Sequence, residues 1–303
     1  MTLKQSSLKH ALKEKRFVVT SEVQVPLGDE DSDRLVESLA RDKGVVNGSS
    51  APKTELEGVV GDTIKTCTLL TKNALDPIYQ TTTRDKNRYQ LQKDLINAHE
   101  AGAQNLLAFT EDYRISGETL QESMFFHVDS GKLISVMEHL KKGTTIEKVP
   151  LEKKIEFLLG CGVEIPWGKP MPKQGLEEME DMMNAGTGFF LTTPIFEIDH
   201  FAKFMQQAQQ FEVPVIAEIM ILRTAGMAKF LNRHFKPGLV PDWAVQKLSG
   251  TSDKQKASIE LFTNIVKSLK DICQGVHIVT IGGVDNLGEY LNAAGLRPDK
   301  DRV

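Results

Sequence analysis

The sequence predicts a closed (β/α)8 barrel, on three observations. Short β-branched or apolar runs alternate with longer helical stretches, the pattern of a parallel sheet with crossover helices. The alternation continues over roughly 280 residues, an ordinary length for one barrel. No Gly-x-Gly-x-x-Gly turn follows the first run, which disfavours the competing doubly wound dinucleotide fold. The expectation is a single barrel domain over residues 1–303.

The strands follow in order. Phe17 to Val23 is the first, and a helix with apolar spacing at Leu35, Val36 and Leu39 follows it. Val45-Val46-Asn47 reads as the second strand, and the later half of 48–71 as helical. Pro77 to Thr82 is the third strand; the charged run after it opens a helix over 86–102, with Asp85 as its N-cap. Asn105 to Thr110 is the fourth strand, with a long loop to about Asp129, and Ile155 to Gly160 is the fifth. A Gly/Pro-rich stretch then leads to a helix ending at Gly186. Gly188 to Thr192, Val213 to Ile219 and Val276 to Thr280 are the last three strands, closed by a helix near 285–295.

Composition bounds the function. Hydrophobic residues are 40% and charged residues 26% of the chain, enough to bury a sizeable core. The net charge of −4 gives no footprint for nucleic acid. No apolar leader follows Met1, and the longest apolar runs are strand-sized, so a cytoplasmic protein without a membrane span is expected. Cys67, Cys161 and Cys273 form no CxxC pair, and the seven histidines show no metal spacing. Neither a disulfide framework nor a metal site is indicated.

In a barrel, chemistry sits at the C-terminal strand ends. That rule selects Glu22, Asn47, Gln80 with Thr82, Thr110 to Asp112, Gly160 to Glu164, Thr192 with Thr193, Glu218 and Thr280. A partly desolvated carboxyl at the mouth has a raised pKa and suits general acid work, which favours Glu22. Asp112 could pair with it across the mouth; alone, Asp112 reads equally as a solvated or capping acid. His277 lies inside a strand and reads as structural. The turn from Leu222 to Phe230, with Arg223 and Met227, suits an anionic or heteroaromatic ligand as well as it suits plain helix packing.

Several segments resemble the methylenetetrahydrofolate reductase family, in the right order through nearly the whole chain. They are Pro77 to Leu95, Asn105 to Asp112, Phe126 to Ser130, Ala185 to Phe196, Pro214 to Phe230, Val240-Pro241-Asp242, Gly275-Val276-His277 and Ala293 to Leu296. The resemblance implies a (β/α)8 barrel that reduces 5,10-methylenetetrahydrofolate to 5-methyltetrahydrofolate with NAD(P)H and a bound FAD. It implies Glu22 as the general acid that helps open the methylene bridge, and Asp112 as a residue between flavin and folate. Gln80, Thr82, Thr110, Thr193, Arg223 and Met227 fall to the substrate, and Asn47, Thr110, Glu111 and Asp112 to the cofactor. A reduced folate is the expected partner, and a homo-oligomer the expected assembly.

Three departures accompany the resemblance. Glu111 stands where the family carries Gly, and Thr193 where it carries Gln. The helix before the sixth strand, where the family offers basic residues to the flavin diphosphate, reads Glu177-Glu178-Met179-Glu180-Asp181. Carboxylates there repel a diphosphate, although Lys169 and Lys173 lie near enough in sequence to substitute. The folate frame is therefore expected to persist while the FAD site is eroded. The alternative is a non-redox subunit that binds methyltetrahydrofolate and passes the methyl group to a corrinoid or other partner protein.

Overall fold

The computed structural model describes residues 6–23, 37, 45–51, 55–56, 59–60, 62–83, 86–109, 130–166, 169–234, 237–281 and 287–296. The barrel strands are β1 (Val18–Glu22), β2 (Gly48–Ala51), β5 (Pro77–Thr82), β6 (Asn105–Phe109), β7 (Leu158–Val163), β8 (Phe189–Pro194), β9 (Val215–Met220) and β10 (Gly275–Val279). They close in the order β1-β10-β9-β8-β7-β6-β5-β2, and every pairing is parallel. This is the (β/α)8 barrel that the alternation predicts. Between β2 and the next helix lies a short antiparallel pair, β3 (Glu55–Leu56) and β4 (Val59–Val60).

The outer layer contains α2 (Thr63–Lys72), α3 (Arg88–Glu100), α4 (Ser130–Lys142), α5 (Lys173–Asn184), α6 (Ile198–Ala208), α7 (Ala225–His234), α8 (Asp242–Ser249), α9 (Lys254–Leu269) and α10 (Leu287–Ala293). Their apolar stripes bury against the outward faces of the strands in one large core. In α9, for example, Leu261, Phe262, Ile265, Val266 and Leu269 are buried, at the spacing of one helix face.

The strand interior forms a second core. Val18, Ile78, Leu107, Phe189, Leu191 and Ile216 fill the lower lumen. A helix that the pattern reading does not anticipate, α1 (Ser7–Lys13), plugs this end with Leu8, Ala11 and Leu12. Asp76 pins it. Its carboxylate accepts from Leu8 N at 3.1 Å and Ser6 Oγ at 2.7 Å, and Asn105 Nδ2 donates to it at 2.8 Å. Burial pushes the Asp76 pKa up, and these donors oppose that shift.

Several boundaries differ from expectation. The second strand is Gly48–Ala51; Val45 to Asn47 precede it. The fifth runs Leu158–Val163, three residues later than expected. The N-cap of α3 is Asn87, in a capping box with Gln90, and not Asp85, which lies outside the described residues. Leu35, Val36 and Leu39 also lie outside them.

Close approach of strands explains the glycine at the seam between β1 and β10. A Cβ on Gly275 would lie 2.4 Å from the Val18 carbonyl oxygen and 2.4 Å from Val18 Cγ2. Backbone cannot yield there without parting the strands. Gly275→Ala should therefore destabilise the fold by about 3 kcal/mol or more. Urea unfolding of the purified variant measures this, and an unchanged midpoint would contradict the packing argument.

Candidate functional site

The upper lumen is polar. Alternation along the strands puts Thr20 and Glu22 of β1, Ser50 of β2, Gln80 and Thr82 of β5, Glu218 of β9 and His277 of β10 on the inner face. The register sets Thr20 beside His277, and His277 beside Glu218. Glu22 lies two residues further along β1 than Thr20, opposite Ser50.

Hydrogen bonds tie most of these groups into one chain. Gln80 Nε2 donates to Ser50 Oγ at 2.9 Å, and the Gln80 amide also bonds the Glu22 carboxyl. Ser50 Oγ lies 3.5 Å from His277 Nε2, and Thr20 Oγ1 lies 2.8 Å from His277 Nδ1. Each nitrogen of the neutral ring thus has a hydroxyl beside it, one to accept the ring N–H and one to donate to the bare nitrogen, in either tautomer. Burial pulls the His277 pKa down to about 4, so the ring is neutral at pH 7. His277 thus has the structural role read from its place inside a strand, and that role is to hold the lumen network.

Glu22 sits at the end of this chain, half-buried at the strand terminus. Desolvation raises its pKa to about 7, with the Gln80 hydrogen bond opposing the rise. Such a carboxyl is protonated in a useful fraction near neutral pH and can give that proton away. Glu218 is raised well above the ordinary carboxylate range, first by burial and then by the charge of Glu22. The strand-end rule reaches Glu218, but sequence reasoning assigns it no role. The signal is present: it is one carboxylate inside Val215-Ile216-Ala217-Glu218-Ile219-Met220, at the parity that faces inward.

The remaining expected residues fall in several places. Thr82 ends β5 on the lumen face. Thr193 Oγ1 accepts from Ile165 N at 3.3 Å and lines a small open cleft with Pro194, Phe196, Glu197 and His200. Arg223 donates to the Ile281 carbonyl at 3.1 Å, on the rim above β9 and β10. Met227 is half-buried in the first turn of α7, its N–H on Thr224 Oγ1. Asn47 departs from expectation: it precedes β2, at the end opposite the mouth, and its side-chain carbonyl accepts from Val19 N at 2.9 Å. Its amide holds strand pairing and is not at the strand's C-terminal end. Thr110, Glu111 and Asp112 lie outside the described residues.

The exposed face of α5 is acidic where the resemblance implies basic residues for an FAD diphosphate. On α5, Glu177, Glu180 and Asp181 are exposed, and Lys173 is already paired with Glu177 at 3.0 Å. Its N-cap is Pro172, which makes no side-chain cap bond. Among the described residues no cluster of His, Cys, Asp and Glu could hold a metal ion, and no helix is long and apolar enough to cross a membrane.

Fold and site together define a (β/α)8 barrel with a desolvated carboxyl at the C-terminal end of its first strand. The family model described as methylenetetrahydrofolate reductase matches residues 7–293, so the chain belongs to the methylenetetrahydrofolate reductase family. No curated relative matches its sequence. Among solved structures, it is similar to an uncharacterised protein from Clostridium thermocellum that binds two copies of 5-methyl-5,6,7,8-tetrahydrofolic acid. The TM-score is 0.61 at 13% identity, covering 95% of this chain and 98% of that one. It is also similar to the EDTA monooxygenase of Chelativorans sp. BNC1, with TM-score 0.54 at 10% identity over 93% and 95% of the two chains. Tryptophan synthase from M. tuberculosis gives 0.55 at 11% identity, over 96% and 98%. At such identities these likenesses speak to the fold alone.

Proposed function

We propose that the chain, as one barrel domain over residues 1–303, binds a reduced folate at the mouth and reduces 5,10-methylenetetrahydrofolate to 5-methyltetrahydrofolate. The observation that carries this reading is Glu22, desolvated at the C-terminal end of β1 in a member of this family. Its carboxyl gives its proton to the folate nitrogen that leaves the methylene carbon. That N–C bond breaks, and a hydride from NAD(P)H completes the methyl group. Gln80 orients the Glu22 carboxyl, and the Thr20–His277–Ser50 contacts orient Gln80. Thr82, Thr193, Arg223 and Met227, which lie at or follow C-terminal strand ends, are assigned to the folate in this reading.

The acidic face of α5 supports a reaction in which the nicotinamide delivers its hydride to the folate directly. Purified protein should be colourless and should oxidise NADH or NADPH only when methylenetetrahydrofolate is present. A yellow protein with an oxidised-flavin spectrum would overturn the flavin-free part of the reading.

The same α5 observation also favours a second reading, a non-redox subunit that binds methyltetrahydrofolate and hands the methyl group to a corrinoid or other partner protein. The two readings separate by assay. Both require 5-methyltetrahydrofolate to raise the thermal midpoint, since a ligand at about 100-fold its Kd adds roughly 2.7 kcal/mol of stability. Only the reductase consumes reduced nicotinamide.

A further inference from the structure

We propose that Glu22 and Glu218 act as one electrostatically coupled carboxyl pair on the same side of the lumen, with Glu218 the positioning residue that keeps a proton while Glu22 gives its own away. This rests on the reading of Glu22 as proton donor.

Three structural observations carry it. First, the barrel closes β1 against β10 and β10 against β9, so both carboxyls occupy the inner face of the same short arc. Second, β8 shifts register between Leu191 and Pro194, opposite Glu218. The Glu218 N–H is held there by Thr192 Oγ1 at 3.2 Å. The extra residue lies on β8 and keeps Pro194 opposite Glu218, which stays on the inner face with Ile216. Third, the two carboxyls have different neighbours. Glu22 has the Gln80 amide as a donor. Among the described residues, the neutral ring of His277 on β10 and Glu22 on β1 face Glu218, while Thr192 Oγ1 takes its backbone N–H. The rim cation Arg223 is directed to the Ile281 carbonyl.

Two carboxyls in one desolvated space do not ionise independently. The one with a hydrogen-bond donor, Glu22, carries the negative charge more readily. The other, Glu218, raised by burial and then by the charge of Glu22, holds its proton to higher pH. In catalysis the anion left on Glu22 therefore faces a neutral acid and not a second anion. Glu22 is later reprotonated from solvent, with no change in redox state at either residue.

The test is an infrared titration of the protonated-carboxyl band in the free protein. It needs no folate, so its failure and the failure of the proposed reaction are separate results. Wild type should show a step near pH 7 and a second at higher pH. Glu218→Gln should lose the second step and keep the first. Glu22→Gln should keep a single step from Glu218, lowered by about one pH unit or more, because the charge that raised it is gone. If Glu218→Gln does not fold, the Glu22→Gln arm alone decides. A Glu218 step at the same pH with and without the Glu22 charge would overturn the pair.

Discussion

Glu22→Gln should lower the rate of methylenetetrahydrofolate reduction by about 10²- to 10⁴-fold, the usual worth of a positioned general acid. Gln keeps the size and the contact with Gln80 and removes only the transferable proton. Folate binding should change little, because the loss falls on the step in which the nitrogen is protonated. Steady-state kinetics with the thermal shift by 5-methyltetrahydrofolate separate the two effects. Turnover like that of the wild type would refute the role of Glu22.

The same substitution should stabilise the protein above neutral pH. In the fold the Glu22 pKa rises from 4.5 to about 7. The folded state therefore binds this proton more tightly than the unfolded chain does. Linkage then makes stability fall as pH rises from about 4.5 through about 7, and the loss is complete above that. A shift of this size corresponds to at most roughly 3 kcal/mol at a carboxyl that solvent still partly screens. Glu22→Gln escapes the loss. Its unfolding free energy should exceed that of the wild type at pH 8 and converge on it near pH 4. The variant would then be less active and more stable, a trade-off common to strained sites. Equal stability of the two proteins at pH 8 would show that Glu22 is not desolvated.

The strands that sequence reading places best are those whose ends are chemically marked. Pro77 opens β5, Thr81 and Thr82 close it, and the expected and observed bounds agree. The misplaced strands share one cause. Val45-Val46 is the apolar run, yet the strand is Gly48-Ser49-Ser50-Ala51, small residues at a crowded wall. Likewise Ile155 is buried but precedes its strand, whereas Gly160 and Gly162 lie inside it. A Cβ on Gly160 would meet the Phe189 ring at 2.1 Å, and one on Gly162 would meet Phe109 at 2.7 Å. Glycine is depleted in strands in general, and only the facing aromatics reveal why it is needed here.

The site was legible to a similar depth. Glu22 and Gln80 stand out because each lies at or near the end of a well-marked strand. Ser50 and Thr20 do not, because their relevance depends on which strand closes against which; Glu218 is reached by the strand-end rule, but its partner Glu22 is visible only in the closed barrel. A serine in β2 and a histidine in β10 become neighbours of one glutamine only when the barrel is closed. Asn47 shows the opposite error: a strand end placed four residues early moved a structural amide to the mouth.

A crystal structure with 5-methyltetrahydrofolate bound tests the central claim most directly. The account predicts the pterin over the C-terminal strand ends, with a folate nitrogen within about 2.6–3.2 Å of the Glu22 carboxyl. A pterin bound away from β1, with Glu22 out of reach of its nitrogens, would contradict it.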